Sequence, residues 1–232
     1  LLGDGSAWGM RIDYAPQPRP EGLAQAFVIG ADFVGDESVS LVLGDNSVYG
    51  GGLGTRLRSS TDVDGGRVFA YHVATPSEYG VVEFDDDGSV LSIEEKPESP
   101  KSSYAVPGLY FYGPDVCDLA AELEPSERGE LEITELNRRY LEQNRLKVTV
   151  LDRGYAWLDA GTHRSLIEAS NYIEAIEERQ GIKIACLEEI AWGNGWITRE
   201  EFRKEVEAAS GSTYGTYLAE VLERAESQVA GG

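Results

Sequence analysis

The stretch LVLGDNSVYGGGLGTRL, residues 41–57, decides how the chain is read. An apolar run leads into Gly44-Asp45-Asn46, and a glycine cluster follows, ending in Gly54-Thr55-Arg56-Leu57. Glycine-rich loops after strands can cradle phosphates, so the segment offers two candidate anion sites. A P-loop needs a Lys after its last glycine, to reach the β and γ phosphates, and Gly54 is followed by Thr. A dinucleotide-binding G-x-G-x-x-G would need glycine at 55, where Thr55 stands. The cluster therefore reads as a surface turn whose glycines supply positive φ. Asp45 is the better candidate, because a residue just past a strand in an open α/β sheet lies where ligands bind. A carboxylate there can share Mg²⁺ with substrate phosphates, or can simply cap a turn.

Around this segment the pattern is that of an α/β protein. SLVLG (40–44) and RVFAYHV (67–73) resemble buried parallel strands. GVVEF and SVLSIEE, on either side of DDDG, form a hairpin signal. YAVPGLYFY (104–112) is strand-like, with Pro107 implying an edge or a bulge. Met10, Ile12 and Tyr14 alternate as in a half-buried strand. Leu23, Ala26, Phe27 and Phe33 stand near helical spacing. ITELNRRYLEQ (133–143) puts Ile133, Leu136 and Tyr140 on one helical face, and LKVTVL (146–151) is a strand. From Thr162 the chain turns helical, with Leu166, Ser170 and Ile173 on one face. Thr198 and Glu201 make a capping box, and Tyr214, Tyr217, Leu218 and Val221 mark an amphipathic final helix. The expected division is an α/β domain over 1–165 and a helical C-terminal region over 166–232, with a frayed AGG end.

The net charge of −21 over 232 residues opposes binding to nucleic acid or to anionic membranes. No apolar run is long enough to span a bilayer. Two separated cysteines, Cys117 and Cys186, suit buried thiols in a reducing cytoplasm better than a disulfide framework. His72, in a strand-like run, reads as a packed core residue.

Seven motifs occur in order: YAPQPRPEGLAQAF (14–27), LVLGDN (41–46), YGVVEF (79–84), EEKP (94–97), SERGELEIT (126–134), GYAWLDAGTH (154–163) and RQGIKIACLEEIAW (179–192). Together they resemble the bacterial glucose-1-phosphate thymidylyltransferases, over residues 1 to about 220. The resemblance implies a nucleotide-diphosphosugar transferase-like fold, with a mixed, mainly parallel sheet flanked by helices and a helical C-terminal region. It implies transfer of a thymidylyl group from dTTP to glucose 1-phosphate, giving dTDP-glucose on the way to dTDP-rhamnose. It also implies a cytoplasmic homotetramer that uses Mg²⁺. Asp45 and Asp159 would be the Mg²⁺ carboxylates. Gln17 and Gly22 would contact thymine. Tyr79, Gly80, Glu95, Val106 and Trp157 would line the sugar pocket, and Lys96 and Arg128 would hold the sugar phosphate.

The family begins with a strand and a G-G-x-G-T-R-L loop, expected before residue 1. The same letters at Gly51–Leu57 stand after the LGDN aspartate and read as coincidence. On that basis the 232 residues alone are expected to be poorly soluble or partly unfolded, and inactive. Pro107, Ala160 and Gly193 replace the family's usual Thr, Thr and Arg, the first two beside the sugar pocket and the third at a regulatory surface. The rival readings are a non-catalytic sugar-phosphate-binding remnant and a metal-dependent glycosyltransferase, although Asp45-Asn46-Ser47 lacks the second Asp that the latter usually shows.

Overall fold

The computed structural model describes residues 2–230, so Gly231 and Gly232 of the expected frayed end lie outside the described residues. Two compact units form, one of Ala15–Ile167 and one of residues 2–14 together with 168–230. The sequence reading groups 1–14 with the α/β region, yet here these residues belong to the helical unit. Trp8 is the reason: it packs with Trp192 against the core around Phe202 and Leu218. Met10–Tyr14 forms no strand. Met10 and Tyr14 are exposed, so the alternation has no core to face.

In the α/β unit the strands are β1 Val39–Val42, β2 Asn46–Gly50, β3 Gly66–His72, β4 Gly80–Phe84, β5 Val90–Glu95, β6 Tyr104–Ala105, β7 Leu109–Tyr112, β8 Leu146–Leu151 and β9 Tyr155–Asp159. The helices are α1 Gln25–Ile29, α2 Ala31–Val34, α3 Leu53–Arg58, α4 Val116–Ala121 and α5 Ile133–Glu142. A seven-stranded sheet runs β1-β7-β3-β6-β4-β5, with β8 added beside β3. The expectation of a mainly parallel sheet is corrected: among the described strands only β3 and β8 pair in parallel. Parallel neighbours need a long connection, and here the chain passes through β4–β7 and then α4 and α5 between β3 and β8. The Asp-Gly turn instead makes β4 and β5 an antiparallel hairpin.

Sequence pattern explains the details. Val68, Phe69 and Ala70 are fully buried at the centre of β3, as a two-sided apolar strand requires. β1 differs from its expected character: it is an edge strand antiparallel to β7, its burial alternates, and Val42 is exposed while Leu41 and Leu43 pack on the core. Pro107 is buried inside the sheet rather than at its edge. It breaks the 104–112 run into β6 and β7, both beside β3, and lets the outer partner switch from β4 to β1. Of the expected α1–α2 face only Phe27 and the adjacent Ala24 are fully buried, with Phe27 edge-on to Tyr112 at 5.3 Å. His72 is exposed, not core, and meets Tyr104 edge-on.

The helical unit holds the end of α6 (His163–Gln180), then α7 (Leu187–Gly193), α8 (Arg199–Ala208) and α9 (Thr213–Ala230). Leu166 and Ser170 of α6 are exposed, and Ala169 takes the buried place expected of them. Thr198 and Glu201 close a reciprocal capping box on α8. Tyr217, Leu218 and Val221 bury the inner face of α9. Both cysteines are free thiols, Cys186 buried and Cys117 half-buried. Among the described residues no helix is long and apolar enough to cross a membrane.

Candidate active site

The site is built on the two-stranded β2–β9 ladder. Its antiparallel register pairs Asn46 with Asp159 at one end and Gly50 with Tyr155 at the other. The Ala160 amide extends it by donating to the Asp45 carbonyl at 2.7 Å. Residues 114 positions apart in sequence are thereby brought side by side. A Cβ added at Gly161 would stand 3.1 Å from Asp159 Oδ1 and 3.7 Å from Asp45 Oδ2, so both carboxylates border the space that glycine leaves open.

Asn46 ties this end together. Its Oδ1 accepts from Trp157 Nε1 at 2.7 Å and from the Gly108 amide at 3.0 Å. Its Nδ2 donates to Asp45 Oδ1 at 2.8 Å. One side chain thus orients the aspartate, the tryptophan and the segment after Pro107. The Trp157 ring is further fixed by Tyr79, at 4.9 Å between centroids, and by Tyr71, at 5.9 Å.

Asp45 and Asp159 line a cavity of about 210 Å³. Tyr79, Gly80 and Val106 line it from one side, Glu95 and Lys96 from the end of β5, and Trp157 from β9. Glycine at 80 has a local reason: a Cβ there would press on Thr134 Oγ1 at 3.1 Å and Glu95 Oε2 at 3.4 Å. The Thr134 hydroxyl donates to that same Glu95 oxygen. Lys96 has φ +40°, a left-handed conformation that costs a non-glycine residue energy and that occurs most often at functional positions. Its amide is held by the Tyr79 carbonyl at 3.0 Å. Burial, then the Asp159 and Glu78 carboxylates, push the Tyr79 phenol above its ordinary pKa, so it stays a hydrogen-bond donor at neutral pH. Burial raises Tyr110 in the same way, with Glu95 and Asp45 adding to it.

The other expected site residues lie apart from this wall. Arg128 lines an adjoining hollow of about 830 Å³ that shares Glu95, Lys96 and Thr134 with the first. Its guanidinium is held by Glu130 at 3.2 Å and Glu132 at 3.4 Å, with Glu95 at 3.9 Å. Gln17 and Gly22 meet each other, Gln17 Nε2 donating to the Gly22 carbonyl at 3.1 Å, but neither lines the cavity. Gly22 has φ +102° and passes so close to the Leu131 backbone that no side chain fits. Its neighbour Leu23 does reach the cavity wall.

Sequence reasoning missed Asn46, Thr134, Asn137 and Tyr110, which line the cavity with the expected residues. A signal existed for two of them. Thr134 and Asn137 are polar residues on the buried face of α5, otherwise formed by Ile133, Leu136 and Tyr140. The glycine cluster takes no part in the cavity. Gly52 caps the short α3 in a left-handed conformation, and Arg56 lies over the Tyr155 ring with its Nε 3.1 Å from the Tyr155 hydroxyl.

Among the described residues no three His, Cys, Asp or Glu side chains cluster as a complete metal site. A pair of carboxylates facing one gap fits Mg²⁺, which takes one or two carboxylates and completes its shell with water and substrate phosphates.

A family model described as nucleotidyl transferase matches residues 1–176. The chain belongs to the nucleotidyl transferase family. It is 56% identical over 224 residues to a glucose-1-phosphate thymidylyltransferase of Mycobacterium tuberculosis, covering 97% of this chain and 78% of that one. It is 53% identical over 225 residues to the Xanthomonas campestris pv. campestris enzyme of the same name, covering 97% and 76%. A solved Bacillus anthracis chain assigned as a glucose-1-phosphate thymidylyltransferase, crystallised with sucrose, superposes with a TM-score of 0.66. It is 37% identical, and the match covers 74% of this chain and 68% of that one. A UDP-glucose pyrophosphorylase solved with UDP-glucose gives a TM-score of 0.60 at 26% identity, covering 69% and 65%. This nucleotidyl transferase is therefore an enzyme whose relatives join a nucleotide to a sugar phosphate.

Proposed function

We propose that the chain transfers the thymidylyl group of dTTP to glucose 1-phosphate, releasing pyrophosphate. The observation that carries this reading is the β2–β9 ladder, which sets Asp45 and Asp159 on the same cavity wall as Glu95, Lys96 and Trp157. In the reaction a phosphate oxygen of glucose 1-phosphate attacks the α-phosphorus of the triphosphate. One P–O bond forms, the bridging α–β bond breaks, and pyrophosphate leaves. Two anions must approach, so the barrier is dominated by charge and alignment. No general base is needed, because the attacking oxygen is already ionised at neutral pH.

The residues divide the work. Glu95 accepts hydrogen bonds from sugar hydroxyls, its other oxygen being fixed by Thr134. Trp157 and Tyr79 give the sugar an apolar wall and one phenolic donor. Lys96 offsets the charge of the sugar phosphate. Arg128 joins it by exchanging its carboxylate partners for phosphate, a fork-to-oxygen match that guanidinium makes well. Asp45 and Asp159 would hold Mg²⁺, which when bound supplies positive charge to the triphosphate oxygens. Gln17 and Gly22 would meet the thymine. The same reading carries a cytoplasmic location and assembly as a homotetramer, and light scattering on the purified protein checks the assembly.

The deciding assay is pyrophosphate release with glucose 1-phosphate and Mg²⁺, comparing dTTP with UTP. Turnover favouring dTTP is expected, and would overturn the expectation from the sequence that these residues alone are inactive. Preference for UTP would move the chain toward the pyrophosphorylase-like neighbours, and binding of sugar phosphate without turnover would favour the non-catalytic reading.

A further inference from the structure

Asn137 stands one turn beyond Thr134 on the inner face of α5 and is fully buried, yet it lines the cavity. Its Oδ1 accepts from the Tyr112 hydroxyl at 2.7 Å. Its Nδ2 is buried and has no hydrogen-bond partner among the described residues. The orientation of the amide follows from Tyr112. That phenol is wholly buried, its hydrogen must find an acceptor, and Asn137 Oδ1 is the one it has. The two N–H bonds of Nδ2 are thus left over on a residue that lines a polar cavity. Native proteins rarely leave a buried donor unpaired, so this one calls for a partner, and beside a cavity a ligand can supply it.

The surroundings favour a neutral, hydroxyl-bearing ligand at this spot. Thr134, the adjacent polar residue of α5, already spends its hydroxyl on Glu95. Tyr110 lies on the same wall, stacked on Tyr112 at 6.2 Å, and burial keeps its phenol protonated. Arg128 lines the adjoining hollow, and Lys96 stands where the two spaces meet, which suits the phosphate end of the substrate. The sugar ring is left to the part of the cavity lined by Asn137, Glu95 and Trp157.

We propose that Asn137 Nδ2 donates a hydrogen bond to a hydroxyl oxygen of the bound sugar, making Asn137 a specificity residue for the sugar phosphate. The inference rests on reading this cavity as the sugar site. A donor at a rigid, buried position rewards a hydroxyl of one location and configuration, and a sugar lacking it leaves the donor unpaired again.

The test is a cycle between residue and ligand, read by calorimetric binding. Glucose 1-phosphate and its 2-, 3-, 4- and 6-deoxy analogues are titrated into the wild type and Asn137→Leu. The wild type should bind one analogue about tenfold more weakly, and Asn137→Leu should bind glucose 1-phosphate about tenfold more weakly while no longer distinguishing it from that analogue. If Asn137→Leu folds poorly because the Tyr112 hydroxyl loses its acceptor, the double variant Tyr112→Phe/Asn137→Leu removes both polar ends and is titrated instead. Equal losses on every analogue, or an undiminished preference in the variant, overturn the proposal. Glu95→Gln separates this from failure of the site reading: if it also leaves glucose 1-phosphate binding unchanged, the cavity is not the sugar site and both readings fall.

Discussion

The two ends of β2 carry segments that invite opposite readings. Beyond its far end, Gly51–Leu57 spells the G-G-x-G-T-R-L loop with which the resembled family begins. Before its near end, Leu43–Asn46 offers one aspartate in a turn. The structure uses them the other way round. The glycine segment becomes a short helix whose Arg56 is occupied by Tyr155 and by the Val150 carbonyl. The aspartate becomes part of a cavity wall because β9 runs antiparallel to β2 and delivers Asp159 beside it. A motif has chemical meaning only where its neighbours converge, and convergence is a property of strand pairing.

The hardest way to break this comparison is to remove the charge at the near end. Asp45→Asn should lower kcat by about 10²–10³-fold, while glucose 1-phosphate affinity changes little. Steady-state kinetics with calorimetric binding checks it, and an equal loss in both quantities would make Asp45 a structural residue. Asn46→Ala should come next. It frees Asp45, Trp157 and the Gly108 amide at once, and residues that orient ligands typically cost about 10–100-fold in activity. Tryptophan fluorescence should change with it, since the indole N–H loses its partner.

Arg56→Ala probes the far end. It should leave dTTP affinity unchanged within about twofold and cost about 1–2 kcal/mol of stability, through the lost hydrogen bond and ring contact. A tenfold loss of dTTP affinity would restore the glycine loop as a phosphate site.

The smallest effect belongs to a charge pair that lines neither hollow. Burial works to raise the Asp115 carboxyl, but hydrogen bonds from Arg145, at 2.7 Å, and Tyr140 outweigh it and hold the group below its ordinary value. A depressed carboxyl contributes stability that is present above the unfolded pKa of about 3.9 and lost as pH falls through the folded value. Asp115→Asn should therefore cost under about 1 kcal/mol at pH 7, reduced by partial exposure, and its melting curve should merge with that of the wild type at the acid end. A gap that persists in acid would mean that packing, not charge, sets the contribution.

The sequence by itself determined the family, through seven motifs in order, and most of the elements. The DDDG hairpin, the two-sided strand at Val68–Ala70, the α5 face and the Thr198 cap are local physics: turn chemistry, periodicity and capping each act within a few residues. It also named the residues that now share the cavity wall, Asp45, Tyr79, Gly80, Glu95, Lys96, Val106, Trp157 and Asp159. What it left undecided was pairing. An apolar run such as Leu41–Leu43 has the same pattern as a parallel core strand or an antiparallel edge, and only the position of β7 selects the edge. Pro107 reads equally as an edge residue or a bulge until β6 and β7 are seen to share β3. The bonds of Asn46 and the unpaired amide of Asn137 depend on partners 62, 111 and 25 residues away. Such long-range contacts leave no local periodicity, so tertiary structure alone decided which polar side chains would meet at the site.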